Sequence, residues 1–249
     1  MVPTEQDDVA LSDALDVPPT GLMSLIDHLQ ELRQRLIKII ISVAIASSCS
    51  YFFAADLIGF ITKPVGTLYY MHPAEAFFTY MKVAFFIGFL LTLPITLYQV
   101  WAFALPALKT KEKQAVAFLV PASVLLFAMG LTFSYFLALP AGIAFMLGFA
   151  SDNLQPLFSI GDYVSFVISF LLPFGFVFEL PLIILVAAKF GLVGSAFLKE
   201  KRKSVFVLAF VLGAVLSPTP DVFSQTLVAV PMIILYELSY LIVRYILKR

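Results

Sequence analysis

The stretch PFGFVFELPLIIL, residues 173–185, is an apolar run with one carboxylate in it, Glu179, set between Pro173 and Pro181. An ionisable group at the centre of a membrane helix costs about 2.5–3.5 kcal/mol on insertion scales, so it is by default a candidate for function. Two chemistries are open. In one, Glu179 faces a polar cavity and contacts something that docks or passes there. In the other, it is a neutral carboxyl bonded to a backbone carbonyl freed by a proline; Pro181 frees that of Val177 and Pro173 that of Ser169.

Two further acids have a similar ambiguity. Glu112, in LKTKEKQ, is the only acid of a basic loop. It either pairs with its lysine neighbours and the start of the following helix, or selects a cationic ligand. Glu31, in HLQELRQRL, either forms an i,i+4 pair with Arg35 on a solvated face or joins Glu112 in an acidic patch. Gln225, in DVFSQTL, is suited to a helix–helix hydrogen bond or to a partner contact. Glu237 reaches the interface from the inner end of the last apolar run. Tyr98, Trp101 and Phe103 read as interfacial aromatics.

Other chemistries find no residues. His28 and His72 are far apart, Cys49 is the one cysteine, and neither HExxH nor a Gly-rich phosphate loop occurs. No catalytic residue, metal site or cofactor is expected, and the chain does not read as an enzyme.

The elements that must position these residues follow from composition. Of 249 residues 61% are hydrophobic and 13% charged, with a mean hydropathy of +0.99. That is a polytopic membrane protein. The net charge of zero argues neither for nor against nucleic acid, and no nucleic-acid partner is expected. Residues 1–22 read as a disordered acidic tail dispensable for function, ahead of a membrane domain over 23–249. Leucines 25, 29, 32 and 36 recur at helical spacing, so residues 24–35 read as an amphipathic interfacial helix leading into the membrane. Apolar runs follow at roughly 36–55, 83–105, 115–139, 163–188, 204–216 and 222–243. The fifth covers only about 20 Å at 1.5 Å per residue.

Charge decides whether the fifth run spans. Fourteen of the sixteen Lys and Arg fall before the first run, between the second and third, between the fourth and fifth, or after the last; only Lys63 and Lys82 lie in the other loops. The positive-inside rule places both termini and the basic loops in the cytoplasm, which requires an even number of spans. The expected fold is all-α: six transmembrane helices, a concave bundle kinked by Pro94, Pro121, Pro173, Pro181 and Pro231, short fifth and sixth spans, and an outer cap of helices from 56–82 and 140–162.

The motifs HLQELRQRL, LYQVWAFALPALKTKEK, FGFVFELP and SPTPDVFSQ, in this order, resemble the TatC family, the multispanning core of the twin-arginine protein translocase. The resemblance covers about residues 24–249 and departs at SPTPD, where the family commonly has TPPD, so either Ser217 or Thr219 is the match to the family's polar position. It implies a receptor in the bacterial cytoplasmic membrane that binds twin-arginine signal peptides at the cytoplasmic face. Such a receptor recruits the single-span TatA and TatB, assembles with itself and with them, and exports folded proteins using the proton-motive force. By resemblance Glu31 and Glu112 are the arginine-binding acids, with Arg33 and Phe103 beside them. Glu179 lies in an intramembrane pocket, Gln225 and Thr219 meet partners, and Pro64 and Asp221 are functional outer-loop positions. The chemistry is consistent, since guanidinium groups are held by carboxylates through charge-assisted bidentate bonds. The competing reading is a proton-coupled small-molecule transporter with Glu179 as proton carrier, but no internal repeat is visible.

Overall fold

The computed structural model describes residues 25–62, 65–104, 113–151, 155–217, 219, 221–245 and 247. Glu112, Pro64 and the 1–22 tail lie outside the described residues. Within the described residues the chain is helical, with one bridging pair, Tyr69 to Ser159. Among the described residues five helical segments are long and apolar enough to cross a membrane, and a helix is the form in which a backbone in hydrocarbon satisfies its own hydrogen bonds.

Helix α1, Leu25–Ser50, joins the expected interfacial stretch and the first span in one continuous rod, followed by a short 3₁₀ turn and α2, Ala54–Thr62. Helix α3, Pro73–Leu91, starts ten residues before the expected run. Pro73 fits the first helical position, where an N–H has no acceptor, and the His72/Glu75 capping box fixes the start. Part of the 56–82 stretch, expected as cap helices, is thus the first turns of the long helix α3. At Thr92 the helix breaks; α4, Leu93–Ala104, completes the second run.

Helix α5, Lys113–Phe133, widens into a π-type turn at Ser134–Ala138 and continues as α6, Leu139–Leu147, beyond the expected end at 139. Helix α7, Ile160–Phe178, and α8, Leu180–Lys189, form the fourth run and part at Glu179. Of the five prolines in the expected spans, Pro94 and Pro181 each follow an interruption by two residues, whereas Pro121, Pro173 and Pro231 lie inside unbroken helices.

Helix α9, Ser195–Leu216, carries Lys199–Lys203 in its first half and the short apolar run 204–216 in its second. The charges are therefore on the helix and not in a loop, and α9 is not among the segments apolar enough by composition to span. The last helix, α10, Val222–Tyr245, has 24 residues. At about 36 Å it is not the short span expected.

Packing pairs α9 with α10, α1 with α3, and α5 with α7 most extensively. Phe127, Phe170 and Phe174 are fully buried in the α5–α7 core. Segments from 56–82 and 140–162 meet on one side, partly as the helices expected of a cap and partly as non-helical stretches. The Tyr69 amide donates to Phe158 O at 3.2 Å and the Ile160 amide to Tyr69 O at 2.8 Å. The Tyr163 hydroxyl donates to Ile61 O at 3.1 Å. Glu75 accepts from the Met71, His72 and Gly161 amides and from the Ser159 hydroxyl, stapling the start of α3 to that of α7.

Candidate functional site

Two carboxylates singled out by the sequence sit on either side of α4. On α1, residues 28, 31 and 35 share one stripe, and that stripe faces α4. The His28 ring stacks on Phe103 at 4.4 Å between centroids. Arg35 donates to Glu31 Oε1 at 2.5 Å and to Gln99 Oε1 at 3.0 Å. The i,i+4 pair is therefore formed, but on a packed seam and not on a solvated face: the side chains of Arg35 and Glu31 are 21% and 24% exposed. Glu31 Oε2 is buried and has no hydrogen-bond partner among the described residues. Arg33, two residues on, is exposed and lies off this stripe.

The opposite face of α4 carries Leu97 and Trp101, both buried. Trp101 is not the interfacial aromatic its type suggested. Its indole donates to Ser123 Oγ of α5 at 2.7 Å, and Ser123 is within hydrogen-bonding reach of the Glu179 carboxylate. Glu179 is 6% exposed, and its Oε1 has no partner among the described residues. The group it faces is thus a serine from another helix, where sequence had offered the carbonyls of Val177 and Ser169. The α7–α8 break places its side chain there, and Pro181 ensures that the break is not mended.

The remaining candidates lie elsewhere. Thr219, Asp221 and Gln225 cluster at the start of α10. The Thr219 hydroxyl donates to Asp221 Oδ2 at 2.5 Å, and the Ser224 amide to Asp221 Oδ1 at 2.7 Å, so Asp221 caps α10. Burial pushes the Asp221 carboxyl up, but the bonds from Thr219, Ser224 and Phe223 together hold it below its ordinary value. Gln225 Nε2 donates to Phe210 O of α9 at 2.7 Å, the helix–helix bond its type allowed. Glu237 pairs with Arg202 at 2.5 Å. Glu112 and Pro64 lie outside the described residues.

Sequence reasoning passed over His28, Gln99 and Ser123. The 28/31/35 and 99/103 spacings were the available signal for the first two; nothing in the sequence pairs Ser123 with Glu179. Among the described residues no group of three or more His, Cys, Asp or Glu is placed to hold a metal ion.

The fold is that of a helical membrane protein, with one half-satisfied carboxylate at a helix seam and another at a helix break inside the bundle, and the known proteins it resembles are translocase components. The sequence matches the family model described as Sec-independent protein translocase protein (TatC) over residues 27–231. It is 37% identical over 228 residues to the Carboxydothermus hydrogenoformans protein of that name, covering 90% of this chain and 94% of the relative. To the Escherichia coli K12 protein it is 39% identical over 228 residues, covering 89% and 88%. A crystal structure of the twin-arginine translocase receptor TatC superposes with a TM-score of 0.79 at 36% identity, covering 89% of this chain and all of that one. The chain belongs to the TatC family of Sec-independent protein translocase proteins.

Proposed function

We propose that this chain is the receptor and core subunit of a translocase that binds twin-arginine signal peptides at the cytoplasmic face of a bacterial inner membrane. The observation that carries the proposal is Glu31: a mostly buried carboxylate with one oxygen on Arg35 and the other without a partner among the described residues. An incoming guanidinium offers several donors in fixed geometry, and a free carboxylate oxygen is its natural acceptor. Arg35 is already shared with Gln99, so a ligand can take over Glu31 without leaving Arg35 unbonded. The stacked His28–Phe103 pair gives the same site an aromatic surface.

Glu112 supplies the second carboxylate, Arg33 borders the site, and the apolar part of the peptide lies toward Glu179. Thr219 and Gln225 meet the single-span partners TatA and TatB, and Pro64 and Asp221 shape the outer side. Six spans with both termini cytoplasmic follow from the charge distribution, with α9 as the fifth despite its basic first half. The proton-motive force drives export of folded cargo, and the chain works in homo- and hetero-oligomers within the bilayer.

The test is equilibrium binding of a signal peptide with paired arginines to the purified chain. Glu31→Gln should weaken binding about tenfold or more, the scale of a lost charged hydrogen bond. Unchanged affinity in both Glu31→Gln and Glu112→Lys would remove these acids from the site.

A further inference from the structure

Among the described residues Lys82 is the one lysine or arginine on the cap side of the bundle. Its Nζ donates to Ser165 Oγ at 2.8 Å, and that hydroxyl donates onward to Gly161 O at 2.6 Å. An ammonium has three donors, and Lys82 forms no ion pair among the described residues. From Lys82 to Ala104, at the far end of α4, the two helices that part at Thr92 together rise by at most about 33 Å at 1.5 Å per residue, of the order of the thickness of a hydrocarbon core. Lys82 therefore stands at headgroup level.

Beneath it a groove of about 290 Å³ runs between α3 and α7, walled by Phe85 and Phe89 on one side and by Ile168 and Leu172 on the other. These positions fall on successive turns of the two helices, so the groove follows both axes. Lys82 to Phe89 is about 10 Å of helix, so the groove runs for about two turns and is walled by apolar side chains on both sides. A partner helix with an apolar face would have to bury the ammonium without a counter-charge.

We propose that the groove holds one anionic phospholipid of the cap-side leaflet, its phosphate on Lys82 and one acyl chain along Phe85, Phe89, Ile168 and Leu172. The lipid completes the α3–α7 seam directly below the Glu75 staple, and the unspent donors of Lys82 select the anionic headgroup.

The experiment uses the full chain in phosphatidylcholine vesicles doped with either phosphatidylglycerol or phosphatidylcholine carrying a diazirine on one acyl chain. After irradiation, labelled peptides are mapped. Label on 85–89 and 168–172 should be about fivefold stronger from the anionic analogue, the effect of one basic residue near the surface. Lys82→Met should reduce it to the phosphatidylcholine level, Lys82→Arg should keep it, and Phe85→Ser, at a largely exposed position, should lower labelling by both lipids. Equal labelling by the two lipids, no change in Lys82→Met, or no change in Phe85→Ser would overturn the proposal. So would a photo-reactive residue at position 85 that crosslinks to protein in place of lipid.

Discussion

Glu31 and Asp221 show how the same functional group can be spent on a ligand or on the fold. Asp221 has both oxygens engaged, by Thr219 and by the Ser224 amide. Glu31 has one buried oxygen with no partner among the described residues, a condition that costs about 1–3 kcal/mol when nothing fills it. The Asp221 assignment has a pH signature. Its carboxyl is held below its ordinary value, so the unfolded chain takes up the proton more readily. The stabilisation is present above the ordinary carboxylate value of about 4 and is lost as the pH falls through the lower folded value. Asp221→Ala should lower stability by about 1 kcal/mol at pH 7, as the loss of a helix cap does. The gap in thermal midpoint between wild type and Asp221→Ala should narrow on acidification, and a gap that is constant with pH would show that the charge does not stabilise the fold. Thr219 and Ser224 explain Asp221 as a structural residue; a role at the outer face has to be additional to this one.

Close backbone contact decides how the helices meet. A Cβ on Gly130 of α5 would come within 2.9 Å of the Phe174 carbonyl carbon and 3.1 Å of Gly175 Cα on α7, backbone atoms that cannot rotate away. Gly59 of α2 has nothing within 4 Å of such a Cβ. Gly130→Ala should destabilise by about 1–3 kcal/mol through overpacking, while Gly59→Ala should be neutral or stabilising by up to about 1 kcal/mol. Thermal unfolding in detergent measures both, and equal effects would contradict the packing described. The helices themselves are legible in the sequence because hydrocarbon demands long apolar runs. Their limits are less so. Residues 73–82 suit an interfacial loop as well as a helix, and hydropathy sees only the 204–216 half of α9 because its first half is basic. The π-type turn at Ser134–Ala138 has no signal that hydropathy reads. Among site residues, Glu31 and Glu179 stand out as charges beside or within apolar runs. Gln99 and Ser123 do not, since their importance depends on which helices become neighbours.

At the scale of the whole molecule, α4 links the two carboxylates. One face meets α1 through Gln99 and Phe103; the other meets α5 through Leu97 and Trp101, and Trp101 leads by way of Ser123 to Glu179. A ligand that displaces Arg35 from Glu31 acts on the same short helix that bears the Trp101 contact, so occupancy of the α1–α4 seam and the surroundings of Glu179 share one rigid element. The half-buried Phe103 stands at the seam and the exposed Phe52 lies just past the far end of α1, which makes them a matched pair of probes. A photo-reactive amino acid at position 103 should crosslink to a signal peptide bearing two arginines and much less to the same peptide with two lysines, while the same probe at position 52 should capture neither through that motif. Crosslinking at 103 that ignores the arginine pair, or that appears only at 52, would contradict the proposed receptor site on α1 and α4.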